Sequence, residues 1–159
     1  MGRYLRAMDS KVEADVIICS RAITSGKKRN NVGDLIQGTL KKLSVGIKEM
    51  RLIDDLPELI LDQVKRSSGD IILFSGGTSR KSKFVVVETL APLVNERFRE
   101  MEDEIKSHGL HKTPLAERSS PLVGKIGEKV VLAIPGSTNG AKDALEVIFP
   151  RIFALMNLG

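Results

Sequence analysis

The chain has 159 residues, with 25 Lys and Arg against 20 Asp and Glu and a formal charge of +5. That length suits one domain with a normal core, and the modest basic excess suits an anionic ligand. Aromatic residues make up only 4% and Trp is absent, which leaves little for base stacking and argues against nucleic acid as a partner. The lone cysteine, Cys19, excludes an intramolecular disulfide and fits a reducing, cytoplasmic setting. No apolar run is long enough to span a bilayer, so no membrane partner is expected.

Residues 1–14 read as a polar leader and residues 15–159 as a single domain. Val16–Cys19 is a short apolar run and predicts a first buried strand. A polar loop follows from Ser20 to Asn31, holding Gly26 and the basic cluster Lys27-Lys28-Arg29. Val32, Leu35, Ile36, Leu40 and Leu43 recur at helical spacing, so a helix is expected from about Asn30 or Asn31. Val45–Ile53 alternates as a second strand and ends at Asp54-Asp55. Pro57 opens a helix carrying Leu59, Ile60, Leu61 and Val64, which Gly69 stops. Ile71–Phe74 is wholly apolar, the pattern of a strand buried on both faces. Such β-α-β-α-β alternation with short connections predicts parallel strands joined by right-handed crossovers.

Beyond Lys83 one or two helices are expected between about Val86 and Lys106, then a loop from His108 to Ser120 and a short strand or turn over Leu122–Ile126. Lys129–Ile134 predicts another buried strand, closed by Pro135-Gly136-Ser137. Ser137 or Thr138 can cap a helix through Ala144, Leu145, Val147 and Ile148. Pro150 kinks that helix or begins a last one over Ile152–Leu158. The fold class expected is α/β, a mainly parallel sheet with helices on both faces.

Chemistry concentrates in the loops after the strands. Ser75-Gly76-Gly77-Thr78-Ser79 follows a buried strand and leads into Arg80, Lys81 and Lys83. Glycines there let backbone approach a ligand, and free amides with nearby cations make a phosphate cradle. In open α/β sheets ligands sit at the carboxyl ends of strands, where this loop lies. His108 and His111 have no third ligand nearby in sequence, so no metal is expected on them. Cys19, in an apolar strand, reads as an inert core residue.

The two loops Ser75-Gly-Gly-Thr78 and Ile134-Pro-Gly-Ser137, in that order, resemble the molybdopterin-binding domain family of molybdenum cofactor biosynthesis. This domain is shared by molybdopterin adenylyltransferases, MoaB/MogA-like proteins and gephyrin-type G domains. The similarity runs from Val16 to about Leu155. Ser20-Arg21 and Thr24-Ser25-Gly26 resemble the family's first loop, Arg51 to Asp55 its second strand end, Pro92 to Arg99 the segment that brings a carboxylate (here Glu96) to the ligand, and Pro135 to Glu146 its final loop and helix.

The resemblance implies a three-layer α-β-α sandwich, usually a homotrimer or hexamer, that binds an anionic pterin and a nucleotide. Molybdopterin is then substrate or ligand, with ATP and Mg²⁺ taking part if the protein is a catalytic nucleotidyltransferase. Carried over residue by residue, Asp55 is the catalytic and metal-binding carboxylate. Ser20, Ser25, Gly26, Ser75, Gly76, Gly77, Thr78, Ser79, Glu96, Pro135, Gly136 and Ser137 form the ligand-binding set. The chain departs from the family pattern at the chemistry. Phe84 and Asn30 stand where aspartates are usual, Ser79 replaces a glycine, and Ser120 replaces an arginine. Phe84 can neither bind a metal nor accept a proton, so a non-catalytic homologue that retains the phosphate cradle is the competing expectation, and Glu88 is a candidate replacement carboxylate.

Overall fold

The computed structural model describes residues 12–114 and 118–156. Six strands form one sheet in the order β2-β1-β3-β6-β5-β4. They are β1 (Glu13–Cys19), β2 (Gly46–Ile53), β3 (Ile71–Ser75), β4 (Glu96–Arg97), β5 (Leu122–Ile126) and β6 (Lys129–Ile134). Pairings β1 with β2, β1 with β3 and β3 with β6 are parallel; β5 runs antiparallel to both β6 and β4. The leader boundary moves accordingly. Residues 1–11 lie outside the described residues, but Glu13 and Ala14 already belong to β1, and the Val12 carbonyl accepts from the Gly46 amide at 2.8 Å.

The apolar runs are buried on both faces because the sheet has two cores. Val16 and Ile18, Ile71 and Leu73, and Val130 and Leu132 point into one cluster; Ile17 and Cys19, Ile72 and Phe74, and Val131 and Ala133 point into the other. The first is covered by α2 (Asn31–Lys42), α5 (Arg99–Lys112), α6 (Thr138–Ile148) and α7 (Ile152–Leu155), through residues such as Ile36, Ile105, Ala144 and Ile152. The second is covered by α3 (Pro57–Arg66) and α4 (Val85–Leu90), through Ile60, Val86 and Leu90. Helices on both faces of a mostly parallel sheet make the α-β-α sandwich.

Local chemistry explains most boundaries. Asn30 caps α2, its side-chain oxygen accepting from the Gly33 amide at 3.0 Å. Pro57 sits in the first turn of α3. Ser137 caps α6 by accepting from the Gly140 amide at 3.1 Å.

Four expectations change. The first polar loop contains a single helical turn, α1 (Arg21–Thr24), capped by Ser20 Oγ. The one or two helices expected between about Val86 and Lys106 form as two, α4 and α5, with Val86, Val87 and Leu90 burying against the second core, but the two-residue strand β4 lies between them. The expected loop from His108 begins later, since α5 continues to Lys112 with Gly109 buried inside it, packing overriding glycine's weak helix preference. The last helix, α7, closes at Leu155, and residues 157–159 lie outside the described residues.

Two buried polar networks fix the layers. Asp15 accepts from Arg51 Nη1 at 3.1 Å and from the Ser68 and Gly69 amides at 3.1 and 2.7 Å. Arg51 also donates to Gln63, Glu49 and Ser67. Glu102, on α5, accepts from Arg97 Nε at 2.8 Å and from the Val123 amide at 2.9 Å, tying helix to sheet.

Candidate functional site

Three parallel strands end side by side, Ile18 opposite Ser75 and Ser75 opposite Ile134. Their loops therefore leave the sheet together. The Gly76 amide donates to the Ile134 carbonyl at 3.0 Å, and Ser75 Oγ donates to the Pro135 carbonyl at 3.0 Å. On the other flank the Ser20 amide donates to the Ile53 carbonyl at 3.0 Å, which brings the end of β2 and Asp55 alongside. These loops enclose a cavity of about 870 Å³, large enough for a ligand of nucleotide or pterin size.

Of the expected ligand-binding set, Ser20, Ser75, Gly76, Gly77, Thr78, Ser79, Pro135, Gly136 and Ser137 line this cavity together with Asp55. Three of the expected residues do not. Ser25 and Gly26 are exposed beyond α1, Ser25 Oγ donating to the Ala22 carbonyl at 3.3 Å. Glu96 lies on β4 at the far edge of the sheet, exposed and paired in register with Lys125.

The chain's own packing also requires the glycines. A Cβ on Gly76 would fall 2.2 Å from the Cys19 carbonyl oxygen, and one on Gly77 would fall 2.3 Å from Val86 Cγ2. Their φ angles are +102° and +66°. They permit a close approach of the chain to itself. Gly136 belongs to the same stack, its Cβ position lying 3.1 Å from Gly76 Cα. The hydroxyls are also largely spoken for. Ser20 and Ser137 are helix caps, and Thr78 Oγ1 lies 3.0 Å from Ser119 Oγ.

What remains without an ion pair in the cavity, among the described residues, is positive charge. Arg21, Lys28, Lys81, Lys83 and Arg118 line it. Lys81 and Lys83 were visible as the cations trailing the glycine turn, and Lys28 as the middle of its basic cluster. Arg118 had no local signal. It arrives through long-range pairing, a bridge between Ser79 and Ser119 and a hydrogen bond from the Ser120 amide to the Thr78 carbonyl at 2.8 Å. Lys83 and Phe84 both adopt left-handed backbone, with φ of 56° and 54°. That places Lys83 on this cavity and turns Phe84 and Glu88 onto a separate one of about 540 Å³. Glu88 is accordingly no neighbour of Asp55 in the cavity lining.

Cys19 also lines the site, yet burial and then the Asp55 charge push its thiol up to about 12. It is a neutral thiol at physiological pH and not a nucleophile. His108 does find carboxylates in space, across the α5–α6 seam. Its Nε2 lies 2.9 Å from Glu146 Oε2, and Asp143 is close by. Lys112 Nζ fills that cluster, 2.9 Å from Asp143 and 3.5 Å from Glu146, so it is an ion-pair network already carrying its own cation.

Residues 15–154 match the family model described as "Probable molybdopterin binding domain". The chain therefore belongs to the molybdopterin-binding domain family of molybdenum cofactor biosynthesis. It is similar to a molybdenum cofactor biosynthesis bifunctional protein of Chlorobaculum tepidum, 34% identical over 141 residues, which cover 87% of this chain and 45% of that protein. It is also similar to a molybdopterin adenylyltransferase of Pyrococcus furiosus, 27% identical over 150 residues, covering 89% of this chain and 87% of that protein. The chain thus spans less than half of the bifunctional relative. Among solved structures, MoaB from Thermus thermophilus superposes with a TM-score of 0.83 at 24% identity, covering 92% of this chain and 96% of the other. That likeness shows the shared fold.

The magnesium ion that the resemblance implies can be tested against the donors present. Mg²⁺ demands near-octahedral oxygen ligands, commonly from one or two carboxylates together with substrate phosphates. Among the described lining residues Asp55 is the one carboxylate. Asp54 accepts from Thr24 Oγ1, Phe84 is apolar, and five cations surround the space. That donor set does not fit a resident divalent cation.

Proposed function

We propose that the cavity at the ends of β1, β3 and β6 binds molybdopterin through its terminal phosphate. The observation that carries this reading is the convergence of the glycine turn, Pro135–Ser137 and five cations on one concave surface of suitable size. Family membership supports the ligand, and the match to an adenylyltransferase supports a reaction with ATP. In that reaction an oxygen of the pterin phosphate attacks the α-phosphorus of ATP, a new P–O–P bond forms, and pyrophosphate leaves. Chemistry of this kind depends on alignment and charge stabilisation more than on covalent help. The residues here supply alignment through a rigid floor and charge through the cationic rim. Asp55 is the carboxylate that the family resemblance assigns to this reaction.

A second reading, a non-catalytic homologue that binds the pterin phosphate, is favoured by Phe84 and by the lone carboxylate. The resemblance also supports a homotrimer or hexamer, which light scattering at micromolar concentration tests. Isothermal titration with molybdopterin and with ATP, followed by a pyrophosphate-release assay, separates the two readings. Tight pterin binding with release supports the transferase, and binding without release supports the carrier. Absence of pterin binding by the folded protein overturns both.

A further inference from the structure

Arg51 pairs with Asp15, Arg97 with Glu102, Arg151 with Glu104 and Lys112 with Asp143. The cavity gathers a group of cations without such partners among the described residues. Arg21, Lys28, Lys81, Lys83 and Arg118 line it against the single carboxylate of Asp55, and none of the five has an ion pair among the described residues. They come from separate stretches of chain: the start of α1, the loop after it, the turn after β3 and the segment before β5. Five like charges from distant positions converging on one concavity repel one another. A concave, low-dielectric wall concentrates the resulting positive potential. A ligand relieves that repulsion in proportion to the negative charge it brings.

Coordinated Mg²⁺ lowers the net negative charge of a polyphosphate by its own two positive charges. That weakens attraction to a rim of this composition, while Asp55 offers the ion few donors in return. We propose that this cavity takes polyphosphate, as a nucleoside triphosphate or the inorganic chain, in its metal-free form, with the five side chains neutralising the charge that a divalent cation neutralises elsewhere. The proposal rests on the reading that the cavity holds phosphate, and adds that the divalent cation opposes binding.

The test uses the full chain and two probes, ATP and inorganic tripolyphosphate, titrated calorimetrically in EDTA and again with Mg²⁺ saturating the probe. Binding in EDTA that weakens several-fold in Mg²⁺ is expected. Lys83→Ala and Arg118→Ala should each weaken metal-free binding about tenfold, the loss that accompanies one charged hydrogen bond. Both side chains are exposed, so folding should survive, and circular dichroism checks it. Arg66→Ala removes an equal charge from a helical ion pair with Asp62, outside the cavity, and should leave affinity unchanged. Equal affinity for the two probes assigns recognition to the phosphates alone; tighter ATP adds the nucleoside. Binding that appears only with Mg²⁺ overturns the proposal and leaves the phosphate reading standing. Failure of either probe and of molybdopterin to bind under both conditions overturns both. An equal loss in Arg66→Ala would reduce the effect to net charge and also overturn it.

Discussion

Arg51 Nη1 lies 3.1 Å from Asp15 Oδ1, joining two adjacent parallel strands beneath the sheet surface, with the carboxylate side chain only 2% exposed. The same carboxylate receives the Ser68 and Gly69 amides, so it also fixes the chain where it enters β3. Ser20 leaves from the opposite end of β1, beside the ends of β3 and β6 at Ser75 and Pro135. The network lines no part of the cavity and sets strand positions from outside it.

Removing one partner of a buried pair leaves the other charge uncompensated, at a cost of about 3–5 kcal/mol. Asp15→Ala is expected to lose stability of that order in urea unfolding, while Arg66→Ala, which breaks the exposed pair with Asp62, should change it by less than ~1 kcal/mol. Equal effects of the two substitutions would contradict the role given to Asp15.

Gly76→Ala forces a methyl group onto the Cys19 carbonyl at a backbone angle that side chains rarely adopt. A loss of at least ~2 kcal/mol is expected, from strain and from the displaced strand end. Gly77→Val meets Val86 in the same way, so its effect should appear as unfolding rather than as lost affinity in an intact fold. Thermal denaturation beside ligand titration distinguishes those outcomes.

The Cys19 thiol titrates in the unfolded chain near 9.0 and in the folded protein near 12. The folded state thus holds its proton more tightly. This contribution to stability is fully present below pH 9 and declines as the pH rises from 9 towards 12. Unfolding free energies measured across that range should fall with a slope that Cys19→Ala reduces. Alkylation of the native protein at pH 7.5 should be far slower than that of the denatured chain; rapid native labelling would show that the thiol is accessible and ionised.

Where pyrophosphate release is observed, Asp55→Ala should reduce it on the order of 10²–10³, the usual scale for one lost preorganised contact. Sequence alone suggests that Phe84→Asp would restore a missing ligand. Because Phe84 opens on the second cavity, the substitution is now expected to give no gain in turnover. A rise in turnover would show that a carboxylate at this position does reach the substrate.

The sheet was legible because its evidence is local. A run such as Ile71–Phe74 can satisfy itself only when buried on both sides, and the glycine and proline punctuation after β3 and β6 marked where the chain turns. Helix propensity misled where packing decided, around Gly109. The site divided along the same line. Residues at or just beyond strand ends, such as Ser20, Asp55 and Ser75, were readable from position, since parallel strands must end together. Glu96 was not, because its proximity depended on an edge strand of two residues. Arg118 was invisible, since nothing within its own neighbourhood announces the bridge between Ser79 and Ser119.

The stacking of Gly136 on Gly76, and of Gly76 on the Cys19 carbonyl, leaves the floor of the cavity almost no room for substitution. Its rim is the reverse, made of long side chains on exposed turns whose exchange disturbs no packing. Where a ligand rests and how much charge it must carry are thus written in different residues. The second can be redrawn without disturbing the first.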